Sequence, residues 1–120
     1  MQDTAPRGNR LISEDEMHRA MEYLRNSAFD LGKLSERQRK AEKMIGHVEA
    51  LQFKMSSATS ADAKKADARA SDAYVDAITE DAVSTGELRK LYALREAAQA
   101  VVDAWRTQEA SNRQYGRAMT

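Results

Sequence analysis

The chain has 120 residues, 19 basic and 19 acidic side chains and no net charge at pH 7, so it has the length of one domain and no overall field that would draw it to nucleic acid. It contains no cysteine, which excludes disulfides and thiolate metal sites and fits a reducing compartment. No apolar run of about 18 residues is present to cross a membrane, and the start has no apolar stretch of the secretion-signal kind, so the expected location is the cytoplasm.

Residues 1–12 include Pro6 and Gly8 and show no periodic pattern, and a mobile N-terminal arm is expected there. Ser13-Glu14-Asp15-Glu16 then reads as a helix start. Ser13 caps the first free amides, Glu16 reaches back as in a capping box, and three acids suit the positive end of the helix dipole. From Met17 the apolar positions run through Met21, Leu24, Ala28, Leu31, Leu34, Ala41, Ile45, Val48, Leu51 and Met55, with Gln38 at the one polar step. Spacings of three and four predict a single helix over 14–55. Gly32 and Gly46 each cost it up to about 1 kcal/mol relative to Ala, and either is a candidate bend.

Ser56-Ser57-Ala58-Thr59-Ser60 interrupts the pattern with hydroxyls that compete for backbone hydrogen bonds, and Thr59 or Ser60 can cap the helix that follows. So short a link between two long helical patterns predicts an antiparallel hairpin. The second arm opens with small residues from Ala61 to Ala77, together with Tyr74, Ile78 and Ala82, which suit a close helix neighbour. Ser84-Thr85-Gly86 reads either as the end of this helix or as a weak point in one continuous rod. Leu88, Leu91, Leu94, Ala98, Val101, Val102, Trp105 and Gln108 carry the pattern onward until it fades near Asn112, and a short tail is expected over 114–120.

The expected fold is therefore all-α: a long, coiled-coil-like antiparallel hairpin over 13–113, turning at 56–60, with Gly86 as the candidate break in its second arm. Leu24, Leu31, Ile45, Val48, Leu88, Leu91, Val101 and Trp105 are its expected core and interface residues. Two aliphatic stripes with only two Phe and one Trp make a poor core for one chain, so self-association to a dimer or larger is expected. Met17, Met21, Met44 and Met55 on or beside the first stripe suit an adaptable interface.

Charge is unevenly placed. Residues 60–87 hold three basic and seven acidic groups, whereas 88–120 hold six basic and three acidic. Such asymmetry can steer association, although solvated helix faces account for most of the charges. Lys33, Arg37 and Lys40 share one helix face within the densest basic cluster and form a candidate phosphate-tracking stripe. With zero net charge and no DNA-binding motif, a structural role for these charges ranks ahead of nucleic acid. Catalytic and cofactor signals are missing: there is no phosphate loop, no nucleophile elbow and no His-Glu-x-x-His, and His18 and His47 stand apart from any ligand set. A non-enzymatic protein without metal or cofactor is expected.

Two stretches carry a resemblance. One is Phe53-Lys54-Met55-Ser56 followed by Ala63-Lys64-Lys65-Ala66 and Ala70-Ser71-Asp72-Ala73-Tyr74. The other is Leu91 to Arg95, Ala97-Ala98 and the run Ala104-Trp105-Arg106-Thr107-Gln108-Glu109-Ala110-Ser111-Asn112-Arg113. Together they resemble a family of short helical proteins of tailed phages and prophages in proteobacteria, over residues 33–113. The resemblance implies a place among phage early functions, near recombination and single-strand-binding genes, and hence an accessory in DNA recombination or replication in the host cytoplasm. An inhibitor that binds a host defence or nuclease protein, with the acidic 60–87 segment imitating DNA, is the alternative, and a structural assembly component is a third. The expected partners are the chain itself, a phage or host protein and, with less support, nucleic acid.

Overall fold

The computed structural model describes residues 11–119, which form three helices and no strand: α1 (Glu14–Met55), α2 (Ala61–Ala70) and α3 (Asp72–Met119). The expected arm at 1–12 falls outside the described residues up to position 10. Ile12 is held: its amide donates to Gln108 Oε1 and its carbonyl accepts from Gln108 Nε2, both at 2.9 Å.

Each helix start has a hydroxyl cap. Ser13 Oγ accepts from the Glu16 amide at 3.1 Å, and Ser60 Oγ accepts from the Ala63 amide at 3.1 Å. In the link at 56–60, Ser56 Oγ accepts from the Ala58 amide at 3.2 Å and donates to Asp67 on α2 at 2.6 Å. These bonds satisfy the polar groups that a chain reversal leaves open.

The second arm breaks at Ser71, not near Gly86. Ser71 is extended, with φ −71° and ψ 149°. Its hydroxyl donates to the Ala68 carbonyl at 2.7 Å and accepts from the Tyr74 amide at 3.2 Å, so it closes α2 and caps α3. Gly86 lies inside α3, and a Cβ there would meet nothing within 4 Å. An exposed glycine lowers helix stability by about 1 kcal/mol but supplies no competing hydrogen bond, whereas Ser71 supplies two. Nor does α1 end at either of its glycines. α3 also runs through the expected tail to Met119, because extending an existing helix needs no new nucleus and Arg113, Gln114, Arg117 and Ala118 are good helix formers.

The chain divides into two compact units, Met1–Ala28 with Ala93–Thr120, and Phe29–Tyr92, where the sequence suggests one domain over 13–113. In the Phe29–Tyr92 unit the cross-arm pairs are Arg37 with Glu80 and Glu87, Gln38 with Asp81, Glu49 with Arg69, and Ser56 with Asp67. Their residue numbers add to between 117 and 124. In the other unit Ile12 pairs with Gln108, while Leu24 and Ser27 pair with Arg95, and the sums lie between 119 and 122. A near-constant sum is the signature of antiparallel arms. Both units are therefore antiparallel helix pairs, and the fold class is an all-α helical hairpin.

The seams are set by a strict heptad. Among the residues withdrawn from solvent, one series on α1 runs 17, 20, 24, 27, 31, 34, 38, 41, 45 and 48 and one on α3 runs 74, 77, 81, 84, 88, 91, 95, 98, 102 and 105, flanked by other half-buried residues such as Tyr23, Ser35, Thr85 and Val101. Steps of three and four alternate without exception, the 3.5-residue period of left-handed coiled coils. The expected stripe drifts from this phase. Met21, Ala28, Leu51 and Met55 are exposed, and Ala20 and Ser27 take seam positions that the expected stripe omits, while Gln38 holds the polar step expected of it. Likewise most of the alanines between 61 and 77 face solvent, and Ala68 and Ala77 are the ones drawn in. Small seam residues let the arms approach closely: Ser84 and Ala68 are 0% exposed, and Ala20, Ser27 and Ala41 are buried.

Candidate interaction surface

A seam this rich in Ala, Ser and Gln consumes little of the chain's large apolar surface. Within the Phe29–Tyr92 unit, Phe29, Met44, Leu51, Val75, Ile78, Val83 and Tyr92 are all exposed, Phe29 by 71%. Apolar groups of this size left on both flanks of a helix pair mark a surface that other helices can cover.

The expected core residues fall as follows. Leu31, Ile45, Val48, Leu88 and Leu91 occupy seam positions of the Phe29–Tyr92 unit, each half-buried. Leu24 and Trp105 do the same in the other unit, where Met17 and Ala20 are buried. There the seam position is Val102, 3% exposed. Val101 lies half-buried beside it.

Apart from Gln38, the polar groups inside the seams were not marked by the apolar pattern. Arg95 Nη1 donates to the Leu24 carbonyl at 2.7 Å and to Ser27 Oγ at 2.6 Å, and Ser27 in turn donates to the Tyr23 carbonyl at 2.6 Å. Gln38 Nε2 lies 3.4 Å from Asp81 Oδ1. Each network joins one height on α1 to one height on α3, so each penalises a slipped register. The usable signal was the unbroken three-four alternation, which passes through Ser27, Gln38, Asp81, Ser84 and Arg95 although none of them is apolar.

The basic stripe is divided by the fold. Arg37 Nε donates to Glu80 at 2.7 Å and Arg37 Nη1 to Glu87 at 2.8 Å. The hydrogen bond to Glu80 raises the Arg37 pKa further, and the same bond holds the Glu80 carboxyl below its usual value. Lys33 lies 5.0 Å from the centroid of the Phe29 ring. Lys40 has no ion-pair partner among the described residues. Of the three, Arg37 is thus committed to carboxylates, and Lys33 and Lys40 present ammonium groups outward. Part of the acidic segment is spent the same way, since Glu80 and Glu87 hold Arg37 and Asp67 accepts from Ser56.

One flank of this unit is concave. Arg37, Lys40, Met44, Asp76, Ala77 and Glu80 are among the residues that line a groove of about 430 Å³, with Met44 beside the floor and the Arg37–Glu80 pair across it. Its walls differ in sign: the α1 side is cationic and the α3 side anionic. The groove holds no nucleophile paired with a base. His18 lies 3.5 Å from Glu14 in the other unit, both exposed, and no group of three or more metal-ligating side chains occurs among the described residues. No helix among them is long and apolar enough to cross a membrane.

No protein-family model matches the chain, and neither does any curated protein or solved structure.

Proposed function

We propose that the chain is a non-enzymatic helical-hairpin protein that acts by binding other helices, first a second copy of itself, as an accessory in phage or prophage DNA recombination or replication within the host cytoplasm. The observation that carries the binding role is the set of large apolar side chains outside the seams, Met44, Leu51, Val75, Ile78, Val83 and Tyr92 in one unit alone. A hairpin that needed only itself would hold them in its seam. The phage setting rests on the sequence resemblance over residues 33–113.

Direct DNA contact is the weaker route to that role, because the central cation of the Lys33–Arg37–Lys40 stripe is already neutralised by two carboxylates. Imitation of DNA by the acidic segment is weakened for the same reason. A protein partner is favoured over both. The test is light scattering across micromolar concentrations together with fluorescence anisotropy of a short labelled oligonucleotide. A dimer or larger species with no oligonucleotide binding at physiological salt is expected. A concentration-independent monomer would defeat the reading, and tight binding to DNA at physiological salt would move it to direct nucleic-acid contact.

A further inference from the structure

The groove flank of the Phe29–Tyr92 unit has an internal polarity that selects both its occupant and the occupant's orientation. Lys33, Arg37 and Lys40 stand along the α1 edge and Asp76, Glu80 and Glu87 along the α3 edge, with the exposed Met44 among them in the groove. The Arg37–Glu80 and Arg37–Glu87 pairs neutralise one cation within the chain, while Lys40 and Asp76 have no ion-pair partner among the described residues. A surface with one basic and one acidic edge is complementary to itself when turned about the right axis.

We propose that a second copy of this chain covers the groove face to face, about a two-fold axis parallel to the helices, laying the α1 edge of each copy on the α3 edge of the other. The proposal rests on the self-assembly reading above and adds the surface and the symmetry. Only two in-plane dyads bring the flanks together. An axis running across the helices puts α1 on α1 and α3 on α3, so Lys40 and Arg37 approach cations, and Asp76 and Glu80 approach anions. An axis running along the helices exchanges the edges, and each cation meets a carboxylate. It also makes every neighbouring helix pair antiparallel, as in an up-down four-helix bundle.

The longitudinal axis keeps every residue at its own height. The rule that pairs residues across one hairpin therefore also pairs them between copies. Residue numbers add to about 120 in the hairpin, so Met44 of one copy comes level with Asp76 of the other, and Lys40 with Glu80 and Asp76. The two Met44 side chains then enter the apolar middle of the partner's groove, against Ala77. The opposite flank lacks this complementarity. There Glu42 on α1 stands level with the exposed Ile78 on α3, and Glu49 is already paired with Arg69 of α2.

The chain's lack of cysteine makes introduced thiols unambiguous reporters. Met44→Cys and Asp76→Cys proteins are mixed in equal amounts, oxidised gently and run on a non-reducing gel, with helicity checked by circular dichroism. A disulfide joining the two different variants is expected, well above the self-joined product of either alone. In parallel, Lys40→Glu and Asp76→Lys should each weaken self-association on the order of tenfold, since two contacts per dimer are reversed. Mixing these two variants should restore it. Glu42→Lys, on the opposite flank and outside the apolar set, should leave association unchanged.

A dimer without the mixed disulfide, or one that Glu42→Lys dissociates, overturns this interface and leaves the assembly reading standing. A predominance of self-joined Met44→Cys selects the crosswise dyad and likewise overturns it. A monomer at every concentration overturns both.

Discussion

Arg95 is a cation in a seam, and replacing it separates two effects that a single substitution would merge. Its Nη1 donates to the Leu24 carbonyl at 2.7 Å and to Ser27 Oγ at 2.6 Å, and its stem packs between the arms. Arg95→Ala removes charge-assisted hydrogen bonds of about 1.5–3 kcal/mol and leaves a gap. Because Arg95 is half-buried, a loss of about 2 kcal/mol is expected, which lowers the melting temperature by roughly 8 °C for a chain of this size. Arg95→Leu removes the same bonds but refills the seam with an apolar side chain, whose burial contributes about 1.5–3 kcal/mol. Ser27 keeps its bond to the Tyr23 carbonyl, and the Leu24 carbonyl keeps its place in the helix ladder. The leucine variant should therefore melt within about 1 kcal/mol of the parent, as when a buried polar network gives way to a well-packed apolar one. Thermal melts followed by circular dichroism decide the matter. An equal, large loss in both variants would mean that the hydrogen bonds dominate. No loss in the alanine variant would mean that Arg95 is not held in the seam at all.

Trp105→Ala should lower stability by about 2 kcal/mol, below the 3–5 kcal/mol of a fully buried aromatic because Trp105 is half-buried; an unchanged melting curve would place it outside the seam. Gly46→Ala should raise stability by up to about 1 kcal/mol, since a Cβ at that position meets nothing within 4 Å and the helix continues through it; a destabilised variant would show that α1 needs its flexibility. The hydrogen bond from Arg37 holds the Glu80 carboxyl below its ordinary value of 4.5, so its contribution is present above that value and is lost as pH falls through the lowered folded value. Glu80→Gln should flatten the acid limb of the stability profile, and an unaltered limb would assign the dependence to other carboxylates. Replacing Lys33, Arg37 and Lys40 together with Gln should leave self-association near parental if direct DNA contact is their role and should weaken it if they line the dimer flank; sedimentation at several concentrations distinguishes the two.

The element boundaries that depend on local chemistry were legible. Ser13 and Ser60 announce their caps, and the hydroxyl-rich 56–60 link ends α1 at Met55, as its composition suggests. The break at Ser71 carries the same kind of signal, a serine able to bond amides ahead and carbonyls behind, but an alanine-rich helical background hides it and Gly86 draws attention instead. The seam's phase was less legible. A 3.6-residue stripe and a 3.5-residue heptad coincide over two turns and then separate, so the apolar reading reached Met21, Ala28, Leu51 and Met55 while the structure chose Ala20 and Ser27. Hydrophobicity favoured the large residues; close approach of the arms favoured the small ones. Arg95 and Ser27 were invisible to an apolar pattern because their value is in matching heights between arms. The Lys33–Arg37–Lys40 stripe was located as a helix face from its spacing, but the carboxylates that neutralise Arg37, Glu80 and Glu87, lie 43 and 50 residues away in sequence, beyond any local rule.

The unbroken heptad of the two long helices limits how such a chain can change length. One inserted residue rotates everything beyond it by about 100° and carries the seam to solvent, and three or four only approximate a return to phase. Seven residues restore the phase, but they leave the opposite arm short by about 10.5 Å. A tolerated insertion must therefore be matched by a second one at the height where residue numbers add to about 120. Such a hairpin lengthens or shortens in paired blocks of seven, which makes its length a ruler graduated in whole heptads. Two such blocks, one in each arm, would extend the protein while leaving its capped turn and its flanks chemically unchanged.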